Sequence, residues 1–331
     1  RRKDQLDSMM GANTAPNYIF VGGSPRSGTT LLQNMLDSHP NIVGGPEFLH
    51  LPDILRLRRR MQPSFSNGWL EDYCSREVAD GYFKQLIDTF LLPIAKGRTV
   101  AYISEKTPAN IDVFQELAEI YPSARFIQIV RDPRAVIASM LKVGQRAKKK
   151  GLRTQPFTRD VIDAVVFLKA CYQKGLDFQR RNDDKILTIR YEDLVNDPER
   201  LTRQISDFLS LPWNPDMLRP DKFQHSGEKA ITNDVWYSKA KYNRKPTDSE
   251  IDKWKRSLST VQQLMILYCF RNHLPTIHYG YRLDGSFTSR FVGKMVWLSG
   301  GALYYGHRLK CKITNSLIRP TVGKVIGDNA N

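Results

Sequence analysis

The sequence predicts an α/β fold, a largely parallel sheet covered by helices on both faces, with a basic extension at the C-terminal end. Short β-favouring runs alternate with segments whose apolar residues recur at helical spacing. The first of these runs ends in a glycine-containing turn that opens straight into a helix. At 331 residues and 41% hydrophobic content, the chain can bury one large core or two small ones.

The elements follow in order. Residues 18–21 (YIFV) form a strand that meets Gly22-Gly23 and a polar loop, with an amphipathic stretch (Leu31, Leu32, Met35, Leu36) behind it. Residues 101–104 give a second strand and 111–120 a helix. A third strand, 125–130 (RFIQIV), runs into Asp132-Pro133, and 135–141 reads as a helix with proline near its first turn. Residues 163–180 predict a helix, 185–189 (KILTI) a strand, and 198–209 a helix with Leu201, Ile205, Phe208 and Leu209 on one face. Residues 221–247 are polar and irregular, and a last helix is expected over 249–271. In parallel sheets of this kind, ligands sit at the carboxyl ends of the strands.

Charge narrows the partners. The 50 Lys+Arg against 34 Asp+Glu give a net charge of +16, which favours polyanions: nucleotides, nucleic acid, acidic glycans or lipid headgroups. The runs RLRRR (56–60) and RAKKK (146–150) motivate a nucleic-acid binder, but they also fit solvated helix ends, and no known nucleic-acid module accompanies them. No nucleic-acid partner is expected. Cys74, Cys171, Cys269 and Cys311 are scattered, without a CxxC pair or a nearby histidine, so no metal site is expected and disulfides are not required. The N-terminal RRKDQLDSMM has no apolar run, and the nearly uncharged residues 295–306 fall short of the roughly 20 apolar residues that span a bilayer.

The most informative string is FVGGSPRSGTTLL (20–32). Backbone N–H groups at a helix N-terminus, backed by the helix dipole, bind phosphate oxygens; Ser27, Thr29 and Thr30 add hydroxyls and Arg26 a charge. An isolated SGTT also fits an ordinary capped helix start. It is not a Walker loop, because Thr29 follows Gly28 where that motif demands lysine, which argues against a P-loop kinase using Mg²⁺ and ATP.

PRSGTTLL followed by DSHP resembles the 5′-phosphosulfate loop of the sulfotransferases. RDPRAVIASM (131–140) is similar to that family's 3′-phosphate segment, and RYEDL (190–194) ends a strand as the family's pattern does. The nearest likeness is to the protein-tyrosine sulfotransferases and their bacterial-type relatives. The resemblance implies a P-loop-like parallel sheet flanked by helices, a sulfotransferase domain over 16–285 and a basic, aromatic-containing extension over 286–331. It implies sulfuryl transfer from the co-substrate 3′-phosphoadenosine 5′-phosphosulfate (PAPS) to an acceptor hydroxyl of a glycan, peptide, phenol or lipid.

Carried over position by position, the resemblance sets the donor's 5′ end on Arg26, Ser27, Gly28, Thr29 and Thr30, and its 3′-phosphate on Arg131 and Ser139. Tyr191 lines the nucleotide site and Lys253 adds a basic contact. Glu47 takes the place of the general base, with His50 and Glu105 as rivals. Lys106 steadies the transferring group, and Ser238 assists the same oxygens. Two departures concern the acceptor and the compartment. Leu49 and Asp53 stand where the tyrosine enzymes carry arginines that hold acidic peptides, and Gly44 and Ser104 stand at one pair of positions occupied by cysteines in those enzymes. The missing pair tilts the expectation toward a reducing cytoplasm, with the Golgi lumen as the alternative if an anchor precedes Arg1. The extension expects packing on its own domain or in a homodimer ahead of contact with a membrane surface.

Overall fold

The computed structural model describes residues 15–226, 235–237 and 242–273, together with Met295, Leu298 and Ala302. Ser238 and nearly all of the 286–331 extension lie outside the described residues. Among the described residues five strands form one sheet in the order β2-β3-β1-β4-β5, every pair parallel. They are β1 (Asn17–Gly23), β2 (Ile42–Gly44), β3 (Tyr102–Lys106), β4 (Arg125–Val130) and β5 (Ile186–Arg190).

β1 lies at the centre and alternates its side chains between two cores, as a pleated strand must. Tyr18 and Phe20 join Phe114, Phe126 and Phe178 on one face; Ile19 and Val21 join Ile127, Ile129, Leu32, Met35 and Leu36 on the other. Because both faces are covered, β1 and β4 carry apolar residues at successive positions on both faces. The expected α/β fold is therefore observed, with four strands shifted by at most a residue or two at their ends.

Helix α1 (Thr29–Asp37) follows β1, and α2 (Leu51–Ser66) and α3 (Arg76–Leu91) lie between β2 and β3. α4 (Phe114–Ile120) precedes β4, α5 (Pro133–Lys149) and α6 (Val161–Arg181) lie between β4 and β5, and α7 (Tyr191–Asn196), α8 (Pro198–Phe208) and α9 (Thr260–Phe270) follow. α5 begins where Asp132 accepts a hydrogen bond from the Arg134 N–H (2.8 Å) with Pro133 inside the first turn.

Sequence periodicity did not reveal β2, α2 or α3. β2 is three residues long, too short for a pattern. In α2 the run RLRRR obscures the buried face, because one of its arginines is part of that face. Arg58 is 2% exposed and bridges Asp80 of α3 (2.7 Å) and Glu119 of α4 (2.6 Å), so a charge cluster does the work expected of an apolar residue.

The expected continuous helix over 249–271 is corrected. It is two short 3₁₀ turns, Asp248–Glu250 and Lys253–Arg256, followed by α9. Ser259 starts α9 afresh through a capping box with Gln262, while Trp254 is the buried residue of the second 3₁₀ turn.

Candidate active site

All five strands end at one edge of the sheet, and each delivers a candidate residue there. β2 leads to Glu47, β3 ends on Lys106, β1 leads into the loop 24–28, β4 is followed by Arg131, and β5 by Tyr191. A parallel sheet brings these distant parts of the sequence together because all its strands share one direction.

The loop after β1 has a tightly determined backbone. Gly23 has φ +152°, and a Cβ there would lie 2.6 Å from the Ile129 carbonyl oxygen. Arg26 adopts φ +75°, an uncommon left-handed conformation for a residue with a side chain. Gly28 has φ +107°, and a Cβ on it would stand 2.4 Å from Cδ2 of Tyr191, so the ring of Tyr191 packs directly on this glycine. Ser27 is fully buried, its Oγ donating to the Ser24 carbonyl (2.7 Å), so its side chain closes the turn. No side chain caps α1 at Gly28, which leaves the orphan N–H groups of its first turn facing the loop.

Beside this turn lies a cavity of about 530 Å³. It brings together Arg26, Gly28, Thr29, Thr30, Arg131, Ser139, Tyr191 and Lys253. Among the described residues its charged lining is Arg26, Arg131, Lys142, Arg146, Lys149, Arg244 and Lys253 against a single carboxylate, Glu250. Arg26 donates to Ser139 Oγ (3.0 Å) and to the Trp236 carbonyl (2.6 Å), and its guanidinium lies 5.0 Å from the centre of the Tyr237 ring. Burial lowers its pKa from the ordinary arginine value; Tyr237 opposes the shift, while Arg146 and Arg131 add to it. Arg131 stacks over Tyr191 at 4.0 Å and donates to the Glu250 carbonyl (2.8 Å), yet its buried Nε has no hydrogen-bond partner. Lys253 pairs with the Glu250 side chain (2.6 Å) at the rim.

A second cluster adjoins the cavity through Thr30. Lys106, 3% exposed, donates to Thr30 Oγ1 (3.4 Å) and forms an ion pair with Glu47. Burial opposes its charge, but Glu47, Tyr237 and Tyr242 outweigh that penalty and raise its pKa. The loop bearing Glu47 is anchored on one side by β2, where the Gly44 N–H donates to Asp37 of α1 (2.6 Å). Gly44 and Ser104 are register partners on β2 and β3. Gln33 occupies the space a Gly44 Cβ would need, and it accepts from Ser104 Oγ (2.8 Å).

The two rival carboxyl and imidazole groups lie elsewhere. Glu105 points to the opposite face of β3, where it accepts from Thr107 Oγ1 (2.6 Å), the Phe48 N–H (3.1 Å) and Asn110. His50 is exposed at the start of α2, its ring in edge contact with Phe48. Leu49 is 63% exposed beside it.

Several lining residues were not singled out from the sequence. Trp236, Tyr237, Tyr242 and Trp254 lie in regions read as irregular or as continuous helix, with no local motif to mark them. Lys142, Arg146 and Lys149 did carry a signal: spaced three and four apart on α5, they fall on the same helix face as Ser139.

The Sulfotransferase family model matches residues 16–215. Protein-tyrosine sulfotransferase 1 of Danio rerio is 32% identical over 206 residues, covering 62% of this chain and 56% of that protein. Protein-tyrosine sulfotransferase of Drosophila melanogaster is 30% identical over 62% of this chain and 40% of its own length. The chain thus spans about half the length of these relatives. Among solved structures, the sulfotransferase domain from the curacin biosynthetic pathway superposes with a TM-score of 0.55 at 21% identity, over 81% of this chain and 99% of that one. The corresponding domain of the Synechococcus PCC 7002 olefin synthase gives 0.52 at 22% identity, over 81% and 97%. These two likenesses concern the fold.

Proposed function

The chain belongs to the sulfotransferase family, and from that premise we propose that it moves a sulfuryl group from PAPS to an acceptor hydroxyl. The observation that carries this reading is the buried Arg131 Nε, which has no partner among the described residues, in a cavity whose described lining has seven basic side chains and one carboxylate beside an uncapped helix start. Such a site is incomplete without an anion. A nucleotide carrying phosphate at both ends meets that demand.

In this reading the first turn of α1, with Arg26, Thr29 and Thr30, holds the 5′-phosphosulfate, and Arg131 with Ser139 holds the 3′-phosphate. Tyr191 packs against the loop, Lys253 guards the rim, and Trp236 and Trp254 supply flat walls for the base. Ser27 contributes by closing the turn. Glu47 accepts the proton of the acceptor hydroxyl as the new S–O bond forms. The bond from sulfur to the bridging phosphate oxygen breaks, and that oxygen leaves with its electron pair as part of 3′-phosphoadenosine 5′-phosphate (PAP). Lys106, between Thr30 and Glu47, is close to both the loop and the base, where a cation offsets charge gathering on the departing oxygen. The Lys106–Glu47 pair belongs to the resting site and loosens when the donor arrives.

Glu47 is favoured over the rivals because it shares its ion pair with Lys106, whereas Glu105 already receives three hydrogen bonds and His50 sits outside the cluster. The sulfotransferase unit is proposed to extend over 16–285. Leu49 and Asp53, where arginines hold acidic peptides in the tyrosine enzymes, favour an acceptor other than an acidic peptide.

Calorimetry with PAP, paired with an isotope-labelled PAPS screen against glycans, tyrosine peptides, phenols and lipids, tests the reading. Saturable PAP binding and label transfer to at least one hydroxyl class are expected. Transfer from ATP with Mg²⁺, and none from PAPS, would overturn it.

A further inference from the structure

We infer that Glu105 is a positioning residue that pins the base-bearing loop to the end of β3, an inference that rests on Glu47 being the base. The pleat of β3 sends Ser104 and Lys106 toward α1, where they meet Gln33 and Thr30. Glu105 is sent the other way. Its carboxylate accepts from the backbone N–H of Phe48, the residue after Glu47. Consecutive residues of β3, Glu105 and Lys106, thus grip consecutive residues of the loop, Phe48 and Glu47.

The two grips differ in what the reaction asks of them. Lys106 has to attend the sulfuryl and its leaving oxygen, so its hold on Glu47 is released during turnover. The Glu105 hold involves no reacting atom and persists. Between the Gly44 N–H, tied to Asp37, and the Phe48 N–H, tied to Glu105, lie only Gly45, Pro46 and Glu47. Losing the second tie leaves that end of the short span held only by the Leu51 N–H on the Phe48 carbonyl (2.9 Å) and by the packing of the Phe48 ring on Phe90, so it loosens.

The carboxylate is built into its place. It is 1% exposed, and Thr107 and Asn110 donate to it as well, with Asn110 also donating to the Val21 carbonyl of β1 (3.2 Å). The loop position is thereby referred to the central strand that also carries the phosphate turn. Burial pushes the Glu105 pKa up to about 7 against the pull of these hydrogen bonds and of Lys106, so charge at this site is costly and the donors offset the cost.

The test compares Glu105→Ala with Glu105→Gln in the full chain. In Glu105→Ala, hydrogen exchange at the Phe48 amide should speed up at least about tenfold, since it loses its acceptor, while PAP affinity by calorimetry stays within about twofold. On the best acceptor from the labelled-donor screen, kcat should fall on the order of 10²-fold with the donor KM unchanged, as expected when a reacting group is displaced by about an ångström. Glu105→Gln should retain most of the exchange protection and turnover, because its amide oxygen can still accept from Phe48. Unchanged Phe48 exchange or full turnover in Glu105→Ala would overturn the inference. So would equal losses in both variants, or loss of PAP binding in step with turnover, which would indicate collapse of the strand end. A Glu47→Gln enzyme that keeps its turnover sinks the base reading and this inference with it. If Glu47→Gln is inactive while Glu105→Ala works normally, only this inference fails.

Discussion

The two halves of the site are built on different principles. The cavity beside β1, β4 and β5 is a concentration of positive charge on a tightly determined backbone: glycines that admit no Cβ, and an arginine at positive φ, Arg26, whose pKa is lowered by burial and by the neighbouring Arg146 and Arg131. The cluster beside β2 and β3 is internally balanced, with Lys106 paired to Glu47 and Glu105 fully hydrogen-bonded. An unbalanced site demands an external anion, whereas a balanced one holds its groups until a ligand displaces part of the balance. In the proposed function the first half holds the donor and the second moves the proton. Changes in the two halves should therefore separate binding from turnover.

The largest expected effect is on turnover. Glu47→Gln should lower kcat by roughly 10³-fold, within the usual span for a lost general base, with PAP affinity kept within about threefold by calorimetry. A parallel loss of PAP affinity would dissolve the distinction between the halves. Next, Arg131→Ala should weaken PAP binding by about 2–3 kcal/mol, a 30- to 150-fold rise in Kd, since it removes charge-assisted hydrogen bonds in a buried place. If kcat at saturating donor fell by a similar factor, Arg131 would belong to the chemistry as well.

Gly28→Ala sharpens the comparison through stability. Its Cβ would collide with Tyr191 at a left-handed φ, so urea denaturation should show a loss of about 1–3 kcal/mol and PAP binding should weaken with it. Recovery of the stability in a double variant with a smaller residue at Tyr191 would locate the collision.

A further effect is one of pH. Glu105 titrates at about 7 in the fold against an ordinary value of 4.5, because burial favours its protonated form. Its contribution to stability is fully present below the ordinary value and is lost as pH rises through about 7. The urea midpoint of the protein should therefore decline relative to that of Glu105→Gln between those pH values and run parallel to it above. Parallel curves across the whole window would show that the hydrogen bonds cancel the effect of burial.

What the sequence by itself determined is whatever depends on short stretches of chain. The turn Gly22–Thr30, the strand 125–130, the strand expected at 185–189 and found at 186–190, and the start of α5 at Asp132-Pro133 are all local: glycine at positive φ in the turn, β-favouring apolar runs, a cap followed by proline. The strand, turn and helix start of the proposed phosphate site were legible because one contiguous string makes all three. The tertiary structure alone decided everything that depends on direction. Glu105 and Lys106 are neighbours in sequence, yet the pleat of β3 turns them to opposite faces, one to hold a loop and the other to meet Glu47. Arg58 reads as part of a solvated basic run and is nearly as buried as any core residue, because Asp80 and Glu119 come to it from other helices. Trp236 and Tyr237 reach the cavity through contacts with Arg26 more than two hundred residues away in the chain. Local backbone chemistry is written residue by residue, whereas the facing of side chains is settled only when the sheet closes and assigns each strand its neighbours.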